Sequence, residues 1–274
     1  MDKLTIGADP EVFVSQGDKI ISSIGLIGGT KGKPIPVECG GIQEDNVLAE
    51  FNIDPVNTED EFVHNIQTVM GQMKARVEGY EFKTITSHTF GLPYLQSIGS
   101  EAFRFGCDKD FDSWECNVNP SVENTSGVRS AGGHIHVGYP KSSDRRMPFR
   151  VTCMMDIFLA IPGILITSEM GKSSQEKDRR KLYGKAGSCR IKPYGVEHRT
   201  LSNFWLESED LMRWVFQNTL LAYENKHKLE AILNKYQKGT IKNIINRSSG
   251  YYGFTDDNIH RMIKDLDIPM PKGM

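Results

Sequence analysis

Four segments of this 274-residue chain alternate apolar and polar residues, which is the period of a β-strand with one buried face. Strand centres disfavour Asp and Asn, and an ordinary solvated face would carry Lys, Thr, Gln or Ser. Here the polar side of each segment carries carboxylate, amide, imidazole or guanidinium groups at positions i and i+2. Periodicity predicts these faces, but it does not predict which strands are neighbours. The pairs are Asp9 and Glu11, Glu50 and Asn52, His134 and His136, and Glu197 and Arg199.

The chemistry of these side chains favours a site for a divalent metal and a phosphate. Several carboxylates placed close together repel one another unless cations lie between them. Oxygen ligands suit Mg²⁺ or Mn²⁺, and Mn²⁺ is the better partner for an imidazole. Arginine holds phosphate through two parallel hydrogen bonds. Two simpler interpretations stay open at this point, namely a solvated strand face for the first pair and a cross-strand ion pair for the last.

Two basic segments lie between the strands. The glycine loop GLIGGTKGKP, residues 25–34, carries Lys31. This loop is not a P-loop, because the first glycine and the final Ser or Thr of that motif are absent. The charged run EKDRRK, residues 176–181, is typical of a solvated face, although Arg180 could reach inward.

The composition excludes several classes of protein. A formal net charge of −2 gives no basic field for a nucleic-acid-binding module. The five cysteines have no CxxC spacing, which indicates reduced thiols in the cytoplasm rather than disulfides or a zinc knuckle. The apolar run 151–170 is long enough to span a bilayer, but Asp156 and Pro162 favour a buried, kinked core helix. We therefore expect a cytoplasmic protein without a membrane partner.

The same periodicity predicts the order of the elements. Strands are expected at 4–14, 19–25, 46–54, 80–90, 131–140 and 196–206, with irregular segments at 99–127 and 172–195. Helices are expected at 58–78, where Thr58 and Glu61 form a capping box, at 143–170, at 209–236 after Ser208, and at 256–266. No linker divides the chain, so we expect one domain, 1–274, with a helical C-terminal part from about 208.

Six motifs occur in one order between residues 7 and 206: GADPEVFV, GGTKGKPIPV, QEDNVLAEFNIDP, FGCDKDF, RSAGGHIHVGYP and KLYGKAGSCRIKPYGVEHRTLSNFWL. Through these six motifs the chain resembles the phage-type carboxylate–amine ligases, a branch of the glutamine synthetase and glutamate–cysteine ligase superfamily. The resemblance implies an α+β fold with a curved antiparallel β-sheet, a glutamine synthetase-like incomplete barrel. Its concave face would be polar, and helices would pack on its outer face. The chain departs from the family at His198, where Tyr is common.

The resemblance also implies roles for individual residues, with ATP and Mg²⁺ or Mn²⁺ as cofactors. The implied metal ligands are Asp9, Glu11, Asp45, Glu50, His134 and Glu197. The transferring phosphoryl group would contact Arg190 and Arg199, and Arg129 would hold phosphate or the acid substrate. An acidic residue, Asp108 or Asp110, would orient the amine or accept its proton. Further contacts to the nucleotide are expected from His136, Lys31, Arg180 and Asn52.

The resulting hypothesis is an ATP-dependent carboxylate–amine ligase that forms an amide through an acyl phosphate. The alternatives are a metal-dependent hydrolase or nuclease, and an inactive ligase fold kept as a phage interaction protein. The expected partners are a small-molecule or peptide carboxylate and an amine, and nucleic acid enters only as a modified-base substrate. The oligomeric state stays open, and the compartment would be the host cytoplasm for a phage-encoded chain.

Overall fold

The computed structural model describes residues 4–103, 110–120, 126–246 and 256–273. Its strands are β1 Thr5–Gln16, β2 Lys19–Ile21, β3 Ile35–Val37, β4 Gly40–Asp45, β5 Leu48–Ile53, β6 Glu81–Lys83, β7 Ser87–Thr89, β8 Phe111–Asp112, β9 Asn117–Val118, β10 Val128–Ser130, β11 Gly133–Gly138, β12 Ser188–Lys192 and β13 Gly195–His198. Its α-helices are α1 Glu59–Arg76, α2 Leu92–Ile98, α3 Met147–Met155, α4 Ile161–Glu169, α5 Ser173–Leu182, α6 Glu209–Glu224, α7 Leu229–Lys235, α8 Lys238–Asn246 and α9 Asp256–Asp265.

A large antiparallel sheet organises the molecule. Its strands follow the order β3-β4-β5-β1-β11-β13-β12-β8-β9, while β2 and β6 pair with the second half of β1. The order of the described strands ends at β3 and β9 without closing into a barrel. A separate two-stranded ribbon joins β7 and β10. The expected α+β class and antiparallel sheet are therefore confirmed.

One face of the sheet is apolar and carries the core. Ile6, Ala8, Val12 and Val14 were expected on the same side of β1, and each is at most 2% exposed. Helix α1 covers this face next to β4 and β5, and α3 covers it next to β12 and β13. Burying a large aliphatic or aromatic side chain stabilises the fold by roughly 1.5–3 kcal/mol. The apolar stripe of α1 that packs here contains Phe62, Ile66, Val69 and Met73.

The most apolar segment of the chain is a core helix. Met147–Glu169 is long and apolar enough to cross a membrane, but almost all of its most apolar stretch is buried inside the protein. A π-helical turn, Asp156–Ala160, separates α3 from α4 just before Pro162. Proline lacks the N–H that continues an α-helix, which is consistent with the irregularity at this point. The expected buried helix is confirmed.

The predicted loop at 172–195 is wrong, because it contains helix α5 and strand β12. Gln, Glu, Lys, Arg and Leu are good helix formers, and tertiary contacts bury two charged residues of α5, Glu176 and Arg179. The predicted strand at 196–206 is also too long. Strand β13 ends at His198, and Asn203–Glu207 forms a 3₁₀ turn.

Other boundaries follow the expected pattern more closely. Thr58 caps α1 and accepts a hydrogen bond from the Glu61 amide at 3.3 Å, and Ser208 caps α6 through the Leu211 amide at the same distance. The long C-terminal helix is divided into α6 and α7 by a 3₁₀ turn at Asn225–Lys228. Strands β3 and β4 were not predicted, because their glycines and prolines hide the alternation.

Candidate functional site

The four strands that carry the polar pairs are consecutive in the sheet. Their order is β5-β1-β11-β13, and the register places directly opposite one another the partners Glu50 and Glu11, Asp9 and His134, and His136 and Glu197. Residues directly opposite in an antiparallel pair point to the same face. The sheet therefore gathers all of these side chains on the face opposite the apolar core.

The centre of this face holds a compact set of possible metal ligands. One atom from each of Asp9, His136 and Glu197 lies within 4.8 Å of the other two. Asp9 Oδ1 is 3.0 Å from His136 Nε2 and 3.3 Å from His134 Nδ1, and His134 Nδ1 is 3.9 Å from Glu197 Oε1. Two carboxylates and an imidazole around one point, with a second imidazole beside them, form a donor set that fits a divalent cation, and Mn²⁺ tolerates the imidazole better than Mg²⁺ does.

The pKa values of the two histidines of this set are shifted in opposite directions. Burial, aided by the Arg199 guanidinium, lowers the pKa of His134 to about 4, so its imidazole is neutral at pH 7. Burial opposes the protonation of His136, but the nearby Asp9 carboxylate outweighs it and raises the pKa of His136. A neutral imidazole keeps a lone pair for a metal, whereas a protonated one donates to a carboxylate.

Three carboxylates beside the set lack sufficient neutralising charge. Burial and the Asp45 carboxylate raise the pKa of Glu11 to about 7. Burial and the Asp9 carboxylate raise the pKa of Glu50 well above its usual value. The pKa of Asp45 is also raised, by burial first, although Lys31 and Arg199 partly compensate. Mutual repulsion of this kind is what a bound cation relieves.

Three basic side chains contact the carboxylate of Glu197, which is fully buried. Arg199 Nη1 contacts Glu197 Oε1, Arg190 Nη1 lies 3.4 Å from the same oxygen, and Lys192 Nζ lies 2.8 Å from Oε2. Burial disfavours ionisation, but the Arg199 charge outweighs it and lowers the pKa of Glu197 to about 2. Glu197 is therefore ionised, and it holds three cations side by side on this face.

The glycines before His134 allow the backbone to approach closely. A Cβ on Gly132 would lie 2.3 Å from the His134 ring, and a Cβ on Gly133 would lie 2.2 Å from the Ser202 carbonyl oxygen. The Gly132 amide also donates to Glu11 Oε2 at 2.7 Å. Any side chain at these two positions would displace a site residue or the segment that follows β13.

A cavity of about 70 Å³ opens beside the ligand set. Asp110 lies at its wall with Oδ2 3.9 Å from Arg199 Nε. Arg129 also lines this cavity, where its Nη2 donates to the Ala102 carbonyl at 2.7 Å and its Nε to Asn46 Oδ1 at 3.2 Å. The other lining residues include Glu11, Asp45, His134, Arg179, Tyr183 and Arg199.

The remaining residues expected at the site lie further from its centre. Asn52 is opposite Gly41 at the β4–β5 end of the face, and Lys31 lies close enough to Asp45 to act on its pKa. Arg180 is not brought to the ligand set. It lines a separate cavity with Glu176, whose Oε2 is 3.6 Å from Arg180 Nη2. Asp108 lies outside the described residues.

Helix α5 places Arg179, not Arg180, beside the site. Arg179 is 1% exposed, and its guanidinium donates to four backbone carbonyls, those of Ala131, Arg199, Thr200 and Leu201. It thereby joins the segment before β11 to the segment after β13. The sequence showed two adjacent arginines, and only the packing of α5 distinguishes the one that reaches the site.

Three other residues of the site were not identified from the sequence. Gln43 Nε2 donates to Glu50 Oε2 at 2.5 Å, Lys192 contacts Glu197, and the Tyr194 hydroxyl lies 2.5 Å from His136 Nδ1. Strand periodicity could have found Lys192, which stands two residues after Arg190. Gln43 lies on β4, a strand that was not predicted.

His198 points to the opposite side of the sheet. Its Nε2 lies 2.9 Å from Oδ1 of Asp156, which belongs to the π-helical turn and is fully buried. Asp156 also accepts hydrogen bonds from the Trp114 indole N–H, the Gly187 amide and the Thr200 hydroxyl. The departure from the family at His198 therefore lies behind the candidate site.

One comparison with known proteins gives a match. The model of the family described as "Phage phiEco32-like COOH.NH2 ligase-type 2" matches residues 126–262, half of the chain. The matched part contains both histidines of β11 together with Arg190, Glu197 and Arg199. Asp9, Glu11 and Glu50 lie outside it and reach the site through strand pairing. No curated protein matches the chain.

Proposed function

Because the chain belongs to the phage phiEco32-like COOH.NH2 ligase-type 2 family, we propose that it joins a carboxylate to an amine with consumption of ATP. We further propose that its open antiparallel sheet is the incomplete barrel of the glutamine synthetase superfamily, with the polar face as the catalytic face. The observation that carries the proposal is the register of β5, β1, β11 and β13. This register places the carboxylates of β1 next to the histidines of β11 and the Glu197–Arg199 pair, which belong to the residues that the family model matches.

Amide formation needs an activated acid, since a carboxylate has no good leaving group. In the proposed reaction a carboxylate oxygen of the substrate attacks the γ-phosphorus of ATP, and the bond to the β–γ bridging oxygen breaks to release ADP. The nitrogen of the amine then attacks the carbonyl carbon of the acyl phosphate. Inorganic phosphate leaves, and the amine loses a proton.

The cation is assigned to Asp9, His134, His136 and Glu197, with Glu11, Asp45 and Glu50 beside them. A divalent metal held there would neutralise charge on the phosphates. Its ligands would come from the carboxylates of Asp9 and Glu197 and from an imidazole, that of His136 by the spacing of the three groups or that of His134 by its neutral form. The raised pKa values of Glu11 and Glu50 favour further positive charge.

The protein's own cations serve the phosphoryl group. Arg199 and Arg190 lie on either side of Glu197, and their guanidinium groups can stabilise charge that develops on the transferred phosphoryl oxygens. Asp110 lies near Arg199 at the wall of the cavity, where its carboxylate can accept the proton of the amine. Arg129 would hold phosphate or the acid substrate from the wall of the cavity, where its Nη1 and Nη2 also donate to backbone carbonyls.

The test is release of ADP and phosphate by the full-length protein with ATP, Mg²⁺ or Mn²⁺, and a panel of acids and amines. A ligase releases phosphate rapidly only when ATP, an acid and an amine are all present, and an amide accumulates. Metal-dependent cleavage of ATP or of a phosphodiester without an amine would indicate a hydrolase instead. No turnover and no nucleotide binding would favour an inactive ligase fold.

A further inference from the structure

The hairpin of β12 and β13 carries a row of three side chains beside the ligand set. Arg190, Lys192 and Tyr194 stand at i, i+2 and i+4, and each reaches the same group of residues. The two cations contact Glu197, and the Tyr194 hydroxyl lies 2.5 Å from His136 Nδ1. The row therefore starts with two cations that can bind phosphate, Arg190 and Lys192, and ends with the aromatic ring of Tyr194.

The contact between the Tyr194 hydroxyl and His136 orients the ring of Tyr194, but the residue stays exposed to solvent. Its centroid lies 6.0 Å from that of His136 at an interplanar angle of 43°, and the residue is 46% exposed. Phe103 is the other large aromatic residue of the described chain with comparable exposure, and no described contact joins Phe103 to the ligand set. A tyrosine anchored through its hydroxyl presents a rigid aromatic face at low entropic cost.

The cavity lies on another side of the ligand set. Its wall contains Glu11, Asp45, Asp110 and Arg199, whereas Lys192, Tyr194 and His136 do not line it. A ligase must hold a nucleotide and an acid on different sides of the phosphorus that is transferred. The small cavity suits the reacting ends of the acid and amine, and the exposed hairpin suits the larger nucleotide.

We propose that Tyr194 is the platform on which the base of ATP stacks, with Lys192 next to the polyphosphate. This inference rests on the proposed function. It assigns to the hairpin a ligand with a flat π-face at one end and several negative charges at the other. Stacking of a base on an aromatic side chain requires no hydrogen-bond pattern, so the ring alone supplies this contact.

The experiment compares two ligands that share the polyphosphate and differ in the base. Calorimetry with Mg²⁺ measures the Kd of ATP and of inorganic tripolyphosphate for the wild-type chain, Tyr194→Ala and Tyr194→Phe. The alanine variant is expected to weaken ATP about 10-fold or more and to leave tripolyphosphate within about twofold. The phenylalanine variant keeps the ring and is expected to bind ATP within about threefold of wild type.

A matched control lies on the same hairpin. Ile191 is 45% exposed but is opposite Val196, whose side chain lies in the core on the other face. Ile191→Ala should therefore change neither Kd, and melting temperatures of all variants check the fold. Equal weakening of both ligands by Tyr194→Ala, or no weakening of ATP, would overturn the base platform while leaving nucleotide binding in place. Failure of the wild type to bind either ligand would instead overturn the proposed function, and the platform with it.

Discussion

Carboxylates lie on both faces of the sheet, and the two faces provide them with different partners. Behind the sheet, Asp156 accepts four hydrogen bonds of 2.6–2.9 Å, from Trp114, Gly187, His198 and Thr200. In front, burial and the repulsion between neighbouring carboxylates raise the pKa values of Glu11, Asp45 and Glu50. The sheet thus separates a carboxylate that accepts four hydrogen bonds from carboxylates that have too little positive charge around them.

We interpret the carboxylate behind the sheet as contributing to stability and the carboxylates in front as contributing to function. The donors to Asp156 come from the segments that also carry Asp110, Arg190, Glu197 and Arg199, so this carboxylate joins their backbones from behind. A satisfied buried carboxylate stabilises the fold, because its loss leaves several donors unpaired. The front group costs folding free energy, and such a cost is expected where a ligand supplies the missing charge.

The largest expected effect on stability is at the back of the sheet. Asp156→Asn replaces one acceptor oxygen by an NH₂ group that faces two donors, so we expect a loss of roughly 3–5 kcal/mol in unfolding free energy. Chemical denaturation measures it. Asp178→Asn, which breaks only an exposed pair with Lys181, should cost less than about 0.5 kcal/mol. Equal losses in the two variants would mean that the four bonds to Asp156 contribute little.

The largest expected effect on activity is at the front. Glu197→Gln removes the charge that holds Arg190, Lys192 and Arg199 together, and we expect ligase turnover to fall at least about 100-fold. The melting temperature should fall as well, because removal of one partner leaves three crowded cations without a counter-charge, so turnover is measured well below it. Glu207→Gln is the control, since its carboxylate pairs with Lys172 away from the site. Full activity in Glu197→Gln would exclude its role in binding the metal and the cations.

The pH dependence of stability distinguishes the two faces further. The pKa of Glu11 is raised from 4.5 to about 7 on folding, so its contribution is fully present below 4.5 and is lost as the pH rises through 7. Without metal, we expect unfolding free energy to fall by roughly 1–3 kcal/mol over this range from Glu11 alone. Metal ions favour the ionised form and should reduce that fall.

Two variants isolate the contribution of Glu11 from that of the other titrating groups. Glu11→Gln should show a smaller decline in melting temperature with pH than the wild type does. Glu115→Gln should not, because hydrogen bonds from Lys238 and Lys242 lower the pKa of Glu115 to about 2. Identical pH profiles for Glu11→Gln and the wild type would contradict the raised pKa.

The smallest expected effect is a gain in stability. Glu50 is buried, and after burial the Asp9 and Asp45 carboxylates raise its pKa most. Glu50→Gln keeps an oxygen for the Gln43 side chain and removes the repulsion, so we expect the metal-free melting temperature to rise by about 1–4 °C. Differential scanning calorimetry measures it, and the stabilisation by Mn²⁺ should shrink in the same variant. A lower melting temperature would mean that the Glu50 carboxylate makes a net stabilising contribution despite the neighbouring carboxylates.

The polar pairs at the front of the sheet were largely predictable, and the hydrogen bonds to Asp156 behind it were not. The i and i+2 pairs report the face of each strand, because a side chain alternates sides regardless of its partners. Asp156 gave no such signal, since an acidic residue in an apolar run is interpretable only once its donors are known. Those donors come from residues 114, 187, 198 and 200, which are distant from it in the chain.

The sequence by itself determined which side chains share a face, where the capped helices begin and that the most apolar helix is buried. Only the tertiary structure decided that β5, β1, β11 and β13 are neighbours, and that α5 presents Arg179 rather than Arg180 to the site. Periodicity is a local property of the backbone. Strand order, register and the rotation of a helix against a sheet depend on how separate elements bury their apolar faces together.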